Sequence, residues 1–222
     1  MQQFLKKYIA PIVPLYAILP LLACAAFNSL IYYGTMALSH LQSGFSDLTT
    51  AFDRMIPLFP PAIFIYGSCF GFWALNYVLT ARTDRRRLFE IVSADMVAKV
   101  ICLLLFVFFP TTNARPILAG NNISELLLLF VYRMDQPVNL LPSIHCLNSW
   151  LCFIGMRGNP RVPRWYQIAS CIFALAICAS TLLIRQHVIA DVIVGVALAE
   201  GAYWLCRCSG LARRLDTAIH IA

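Results

Sequence analysis

Arg185-Gln186-His187-Val188-Ile189-Ala190-Asp191 sits where two long apolar runs meet, residues about 166–185 and 187–206. Each run is close to the ~20 residues a helix needs to cross a hydrocarbon core. Little more than Arg185, Gln186 and His187 separates them, so the chain must turn back tightly at one membrane face. The same stretch carries a histidine four residues before an aspartate. On a helix that spacing makes the two side chains neighbours. The carboxylate then holds one imidazole nitrogen and leaves the other to attack or to carry a proton. Ionisable groups at membrane depth are costly, which makes His187 and Asp191 functional candidates.

Working outward, four more apolar segments lie at about 12–38, 58–80, 91–110 and 143–157, the last of them the shortest. The expectation is an all-α, six-span transmembrane bundle forming a single membrane domain over residues 1–222. The 222 residues are 60% hydrophobic and 12% charged, which excludes an ordinary soluble domain. The run after Lys6 and Lys7 is too long for the core of a signal peptide and lacks a clear cleavage site, so it reads as the first span. Of the nine cysteines, Cys24, Cys69, Cys102, Cys152, Cys171 and Cys178 fall inside apolar runs and read as small hydrophobes. Cys206 and Cys208 have no second pair or suitably spaced histidine, so no metal site is expected there.

The net charge of +7 does not point to nucleic acid, because it sits in short clusters between apolar runs. Lys6, Lys7, Arg82, Arg85, Arg86, Arg87, Arg157, Arg161, Arg164, Arg207, Arg213 and Arg214 all fall on one side of a six-span bundle. The other side has Arg54, Arg115, Arg133 and Arg185, and Lys99 lies inside the third span. The positive-inside rule therefore predicts cytoplasmic N and C termini, with Trp165, Tyr166, Tyr203 and Trp204 as interfacial aromatics at the cytoplasmic side. Residues 83–87 form a basic loop that reads as a topology signal, with anionic-lipid binding as the alternative. On the outer side, residues 41–57 are moderately polar. Within the long stretch 111–142, the apolar run from Ile123 to Tyr132 is too short to span and predicts an interfacial helix at about 122–133. Asn122-Ile123-Ser124 is a glycosylation sequon, relevant only in a eukaryotic secretory pathway.

This topology brings distant residues to one outer face. Arg115 follows the third span, Ser143 and His145 open the fourth, and His187 and Asp191 open the sixth. Singly, Arg115-Pro116 could be a helix stop, His145 a packed polar group, and His187 with Asp191 a structural pair. Together they suit phosphoryl transfer. An arginine fork and a helix N-terminus hold phosphate oxygens. One histidine attacks phosphorus and the other protonates the leaving oxygen. Nothing in the set requires a metal or another cofactor.

Arg115-Pro116, then Pro142-Ser143-Ile144-His145, then Ser180-Thr181 followed after five residues by His187 and after three more by Asp191, resemble the three motifs of the type-2 phosphatidic acid phosphatase superfamily. The resemblance covers about residues 91–206. It implies a phosphohistidine on His187, Asp191 as its orienter, His145 as general acid, and Arg115 and Ser143 as phosphate ligands. Phe108 stands where the family often has lysine, Ile144 where it has glycine, and Thr181 where it has arginine. Lys99 lies ~16 Å inward of Pro110 along a helix and should instead pair with Asp95. Arg185 is the candidate replacement cation for phosphate, with an interfacial snorkelling arginine as the alternative. Arg133 and Asp135 are further candidates, or a structural pair.

The motifs also resemble the branch that contains inositol phosphorylceramide and sphingomyelin synthases, in which a lipid alcohol rather than water takes the phosphoryl group. The resulting expectation is a metal-independent lipid phosphatase of the cell membrane. Its active site faces outward, and its substrate is a phospholipid or a polyprenyl phosphate. The alternatives are a headgroup transferase or a non-catalytic lipid-binding bundle. A channel or transporter is disfavoured, because there is no inverted repeat and the charges avoid the midplane.

Overall fold

Four helix starts in this chain are set by N-cap side chains that satisfy the orphan N–H groups of a first turn. Asp84 accepts a hydrogen bond from Arg87 N at 3.0 Å, Asn122 from Glu125 N at 3.0 Å, and Ser143 from Cys146 N at 3.4 Å. Thr50 and Asp53 cap each other's backbone reciprocally. A computed structural model describing residues 10–42 and 44–221 contains ten α-helices. They are α1 (Leu15–Leu38), α2 (Ala51–Met55), α3 (Ile63–Gly67), α4 (Cys69–Thr83), α5 (Arg85–Phe108), α6 (Ile123–Met134), α7 (Ile144–Met156), α8 (Arg164–Leu183), α9 (Ile189–Ser209) and α10 (Leu211–Ile221). The only strand pairing among the described residues is a two-residue parallel bridge of Ser46–Asp47 with Thr111–Thr112. Lys6 and Lys7 lie outside the described residues.

The chain is an all-α membrane bundle. Among the described residues, five stretches are long and apolar enough to cross a bilayer: Leu15–Leu41, Pro60–Thr83, Arg85–Phe108, Arg164–Leu183 and Ile189–Ser209. Helix α7 has 13 residues, or ~20 Å, short of the ~30 Å of a hydrocarbon core. It needs no lipid-spanning length, because ten of its residues are buried against α4, α5, α8 and α9. It is the central post of the bundle. Helix α5 packs on α1, α4, α7, α9 and α10.

Several boundaries differ from the sequence expectation. The second apolar run is not continuous: α3 and α4 meet at Ser68. The third helix starts at Arg85 rather than near 91, because the Asp84 cap draws the three arginines into its first turn, so they are not a loop. A helix falls at Ile123–Met134, close to the place expected for one at about 122–133. Helix α10 was not anticipated. It follows a left-handed Gly210 and ties back to α5 through Arg85 and Asp216 at 2.6 Å. The expected Lys99–Asp95 pair is present at 2.8 Å and buried, and Asn148 of α7 takes a second Lys99 hydrogen bond at 2.6 Å.

The two ends of the bundle are chemically distinct. At one end, Arg87 donates to the carbonyls of Ile154 and Arg157 at the α7 C-terminus, and Arg157 grips Glu200 of α9 with two hydrogen bonds. At the opposite end the turn between α8 and α9, the loops around 110–115 and 135–143, and α2 converge. The two are called the arginine end and the histidine end below.

Candidate active site

The α8–α9 turn is folded by backbone before any side chain acts. The carbonyl of Thr181 accepts from both Gln186 N at 3.0 Å and His187 N at 3.2 Å, and Arg185 takes a left-handed φ of 56° to make the reversal. His187 therefore lies in the turn and not on α9, which corrects the expectation that it shares a helix face with Asp191. Contact survives because Asp191 occupies the third position of α9 and its carboxylate reaches back over the N-terminus. Oδ2 accepts from Val188 N at 3.0 Å and from His187 Nδ1 at 3.2 Å. The cap and the histidine orienter are one oxygen. Asp191 is fully buried, and its Oδ1 has no partner among the described residues.

Helix α7 is set against this turn at very short range. Ser143 N donates to the Asp191 carbonyl at 3.1 Å. A Cβ on Gly195 would stand 2.7 Å from the Ser143 carbonyl oxygen, so only glycine lets α9 approach the start of α7 this closely. The result is that His145 faces His187, with ring centroids 6.0 Å apart. Tyr66, Trp73 and Phe70 surround His145 at centroid distances of 4.5, 5.7 and 6.5 Å, and neither of its ring nitrogens bonds to another described residue. Between the histidines lies a cavity of about 10 Å³ for the centre of a water-sized sphere, room for about one water.

Arg115 enters from the loop after α5. That loop is stitched in place by Thr111 Oγ1, which accepts from Leu140 N and Leu141 N at 3.0 and 2.9 Å, and by Asn113, which donates to the Arg185 carbonyl at 3.1 Å. The Arg115 guanidinium lies 4.6 Å above the Tyr132 ring and donates through Nη1 to the Tyr132 and Asp135 carbonyls. Its Nε and Nη2 are buried without a partner among the described residues. Two N–H groups on one edge of a fork, dry and unpaired, are what a phosphate or carboxylate pairs with.

Not every expected residue converges. The Arg185 guanidinium is given to the carbonyls of Asp53, Arg54 and Ile56, clasping α2. Neither the phosphate nor the snorkelling expectation anticipated that engagement. Ser143 Oγ accepts from Cys146 N at 3.4 Å as the α7 cap. Thr181 is fully buried, with its hydroxyl donating to Cys178 O at 2.8 Å, and Phe108 is exposed, so neither position of the altered motif presents a charge. Arg133 is exposed and forms no ion pair with Asp135 among the described residues.

Asp135 has a different role. Tyr32 and Tyr66 donate to its two oxygens, and Gln186 Nε2 donates to Oδ2 at 3.0 Å, making a network beside both histidines. No local pattern marks Tyr32 and Tyr66, which come from separate apolar runs. Asp53 did carry a signal, the Thr50-x-x-Asp53 cap spacing. Its Oδ1 also accepts from Ile189 N at 2.7 Å, so α2 caps α9. Burial opposes ionising Asp53, and hydrogen bonds from Thr50 and Ile189 outweigh it, holding the carboxyl below its ordinary range.

A family model described as PAP2 superfamily matches residues 48–205, which takes in every histidine, aspartate and arginine of this site. The chain belongs to the PAP2 superfamily. Searches of curated proteins and of solved structures found no match. Helix α1 lies outside the PAP2 match, so Tyr32 reaches the PAP2 site from beyond it. Membership carries phosphatase or phosphotransferase chemistry for a multi-pass membrane protein. For the PAP2 site, the electrostatics matter most at His187. Burial works against its protonation, and the hydrogen bond and charge of Asp191 outweigh that, so its pKa stands above the ordinary 6.5. Burial pulls the Arg115 pKa down, with the Asp135 charge opposing.

Proposed function

We propose that this PAP2 protein is a lipid phosphatase that works through a phosphohistidine on His187. The observation that carries the proposal is the His187–Asp191 hydrogen bond facing His145 across a water-sized cavity. With Nδ1 held by Asp191, Nε2 of neutral His187 attacks phosphorus. The bond from phosphorus to the ester oxygen breaks, and His145, protonated in the complex with the phosphate dianion, gives its proton to the leaving alkoxide. Asp191 stabilises the positive charge that develops on the His187 ring. In the second half, neutral His145 takes a proton from water, the water oxygen bonds to phosphorus, and the bond from Nε2 to phosphorus breaks to release inorganic phosphate. Arg115, through Nε and Nη2, holds the phosphate oxygens throughout. Ser143 positions α7 and Arg185 holds α2; neither is assigned direct phosphate contact.

In this proposal the arginine end is cytoplasmic and the histidine end faces outward, from the distribution of basic residues. Cys208 is exposed near the arginine end. A membrane-impermeant thiol reagent should label it in inverted vesicles and leave it unlabelled in intact cells; the reverse would overturn the orientation.

The test of activity is a panel of lipid phosphates and headgroup donors, with and without a lipid alcohol, monitored for free phosphate and for transferred headgroup. Phosphate release that disappears in His187→Ala supports the proposal. Headgroup transfer without release would assign the protein to the transferase alternative. Absence of any labelled phosphohistidine during turnover would sink both.

A further inference from the structure

A cavity of about 450 Å³ lies between α1, α4, α5 and α7, within the size range of lipid and small-molecule sites. Helices α1 and α4 both pack on α5 and leave this gap between them on the apolar flank of the bundle. Most of its lining is apolar, and two features set it apart from a simple packing fault.

The first is its position. Phe70 and Trp73 form part of its wall, and the same two rings pack against His145. Asn148, also in the wall, is three residues beyond His145 on α7, ~4.5 Å along the helix axis. The cavity therefore begins directly beneath the proposed general acid.

The second is an uncompleted set of hydrogen-bonding atoms. Asp95 and Asn148 both line the cavity and each gives one oxygen to Lys99, at 2.8 and 2.6 Å. Asn148 Nδ2 bonds to no described residue, while the Cys24 thiol in the same wall is within hydrogen-bonding reach of the Asp95 carboxylate. Across the gap, Asn28 on α1 lines the same cavity, and its Oδ1 is buried with no partner among the described residues. Acceptors and a donor thus stand together in an otherwise apolar pocket. In a hydrocarbon-depth setting such groups are satisfied by something polar. A lipid ester offers acceptors alone, and a polyprenyl tail offers nothing. A hydroxyl, or a secondary amide, offers both donor and acceptor.

Resting on the lipid phosphatase reading above, we infer that this cavity holds the hydrocarbon chain of the substrate, and that Asp95, Asn148 and Asn28 select a lipid phosphate bearing a hydrogen-bond donor next to its phosphate-bearing carbon. The depth of Asn148 below His145 matches a group two or three bonds behind the phosphorus ester oxygen. Lys99 is then a positioning residue: its ammonium fixes one oxygen of Asp95 and one of Asn148 and so sets how both groups face the ligand.

The test compares two probes that differ by one oxygen, 2-hydroxyhexadecyl phosphate and hexadecyl phosphate, on the full protein in detergent micelles. The expected result is a preference of at least about tenfold in kcat/KM for the hydroxylated probe, falling to about one in Asn28→Leu and in Asp95→Asn. Equal turnover of the two by the unaltered protein would overturn the inference and leave the phosphatase reading standing. If neither is turned over, the phosphatase reading has failed, and binding of the matched pair of phosphonates decides the cavity separately. Quenching of Trp73 fluorescence, checked against Trp73→Phe, should then appear at about tenfold lower concentration for the hydroxylated phosphonate. Equal affinity, or quenching that Trp73→Phe does not reduce, would overturn it. Rescue of the preference by Asn28→Gln, with none by Asn28→Leu, distinguishes a contact with ligand from a loss of packing.

Discussion

The histidine end and the arginine end of this bundle are both rich in polar side chains, and they handle them in opposite ways. At the arginine end, charge is consumed by structure. Arg157, Glu200 and Trp150 join α7 to α9, Arg85 reaches Asp216, Arg86 reaches Glu90, and Arg87 terminates α7. At the histidine end, polar groups are buried and left incomplete. Nine buried side-chain nitrogen and oxygen atoms lack a partner among the described residues. Seven of them, on Gln42, Asn113, Arg115, Asn139, Gln186 and Asp191, are at that end. An unpaired buried polar atom costs about 1–3 kcal/mol. Such a cost concentrated in one place marks the end that awaits a ligand.

The largest expected effect is at the nucleophile. His187→Ala should lower kcat/KM by at least about 10⁴-fold with little change in thermal stability; a residual rate within tenfold of wild type would remove His187 from the mechanism. Next is Asp191→Asn, which keeps the shape and removes the charge. Asp191 holds the His187 pKa above 6.5, so one limb of the kcat/KM profile should lie above pH 6.5 in the wild type. The substitution should cost about 10²–10⁴-fold and move that limb to lower pH; an unmoved limb would assign the titration to another group.

Arg115→Lys retains the charge but not the fork, and should cost about 10²–10³-fold, mostly in kcat. Parity with wild type would mean that Nε and Nη2 are not phosphate ligands. Gly195→Val pushes on the Ser143 carbonyl and should cost about 1–3 kcal/mol of stability and roughly tenfold in activity, because the displaced backbone carries His145. Smallest is Arg157→Ala at the opposite end. The Arg157–Glu200 pair is part-exposed, so at most about 1 kcal/mol should be lost and activity should hold; a large loss of activity would break the contrast between the two ends.

Much of this is legible in the sequence. Apolar runs near 20 residues gave the helices, because crossing lipid requires continuous intrahelical hydrogen bonding. The three motif clusters named His145, His187, Asp191 and Arg115 as candidates, because each is a polar group set in or beside an apolar run. Asp95 and Lys99 were legible as a pair from their spacing alone. Tyr32, Tyr66 and Asn28 were not, because an isolated tyrosine or asparagine in a span carries no periodic signal of what it will meet.

The sequence by itself determined that this is an all-α membrane bundle with a histidine and an aspartate at one helix start, since local spacing and hydrophobic run length decide both. Tertiary structure alone decided that His187 leaves the helix while keeping Asp191, that Arg185 is spent on α2, and that Arg115 keeps two N–H groups unpaired. Those outcomes depend on which carbonyls are within reach once the turns pack. That is a matter of three-dimensional distance between segments up to 132 residues apart, which no local pattern encodes.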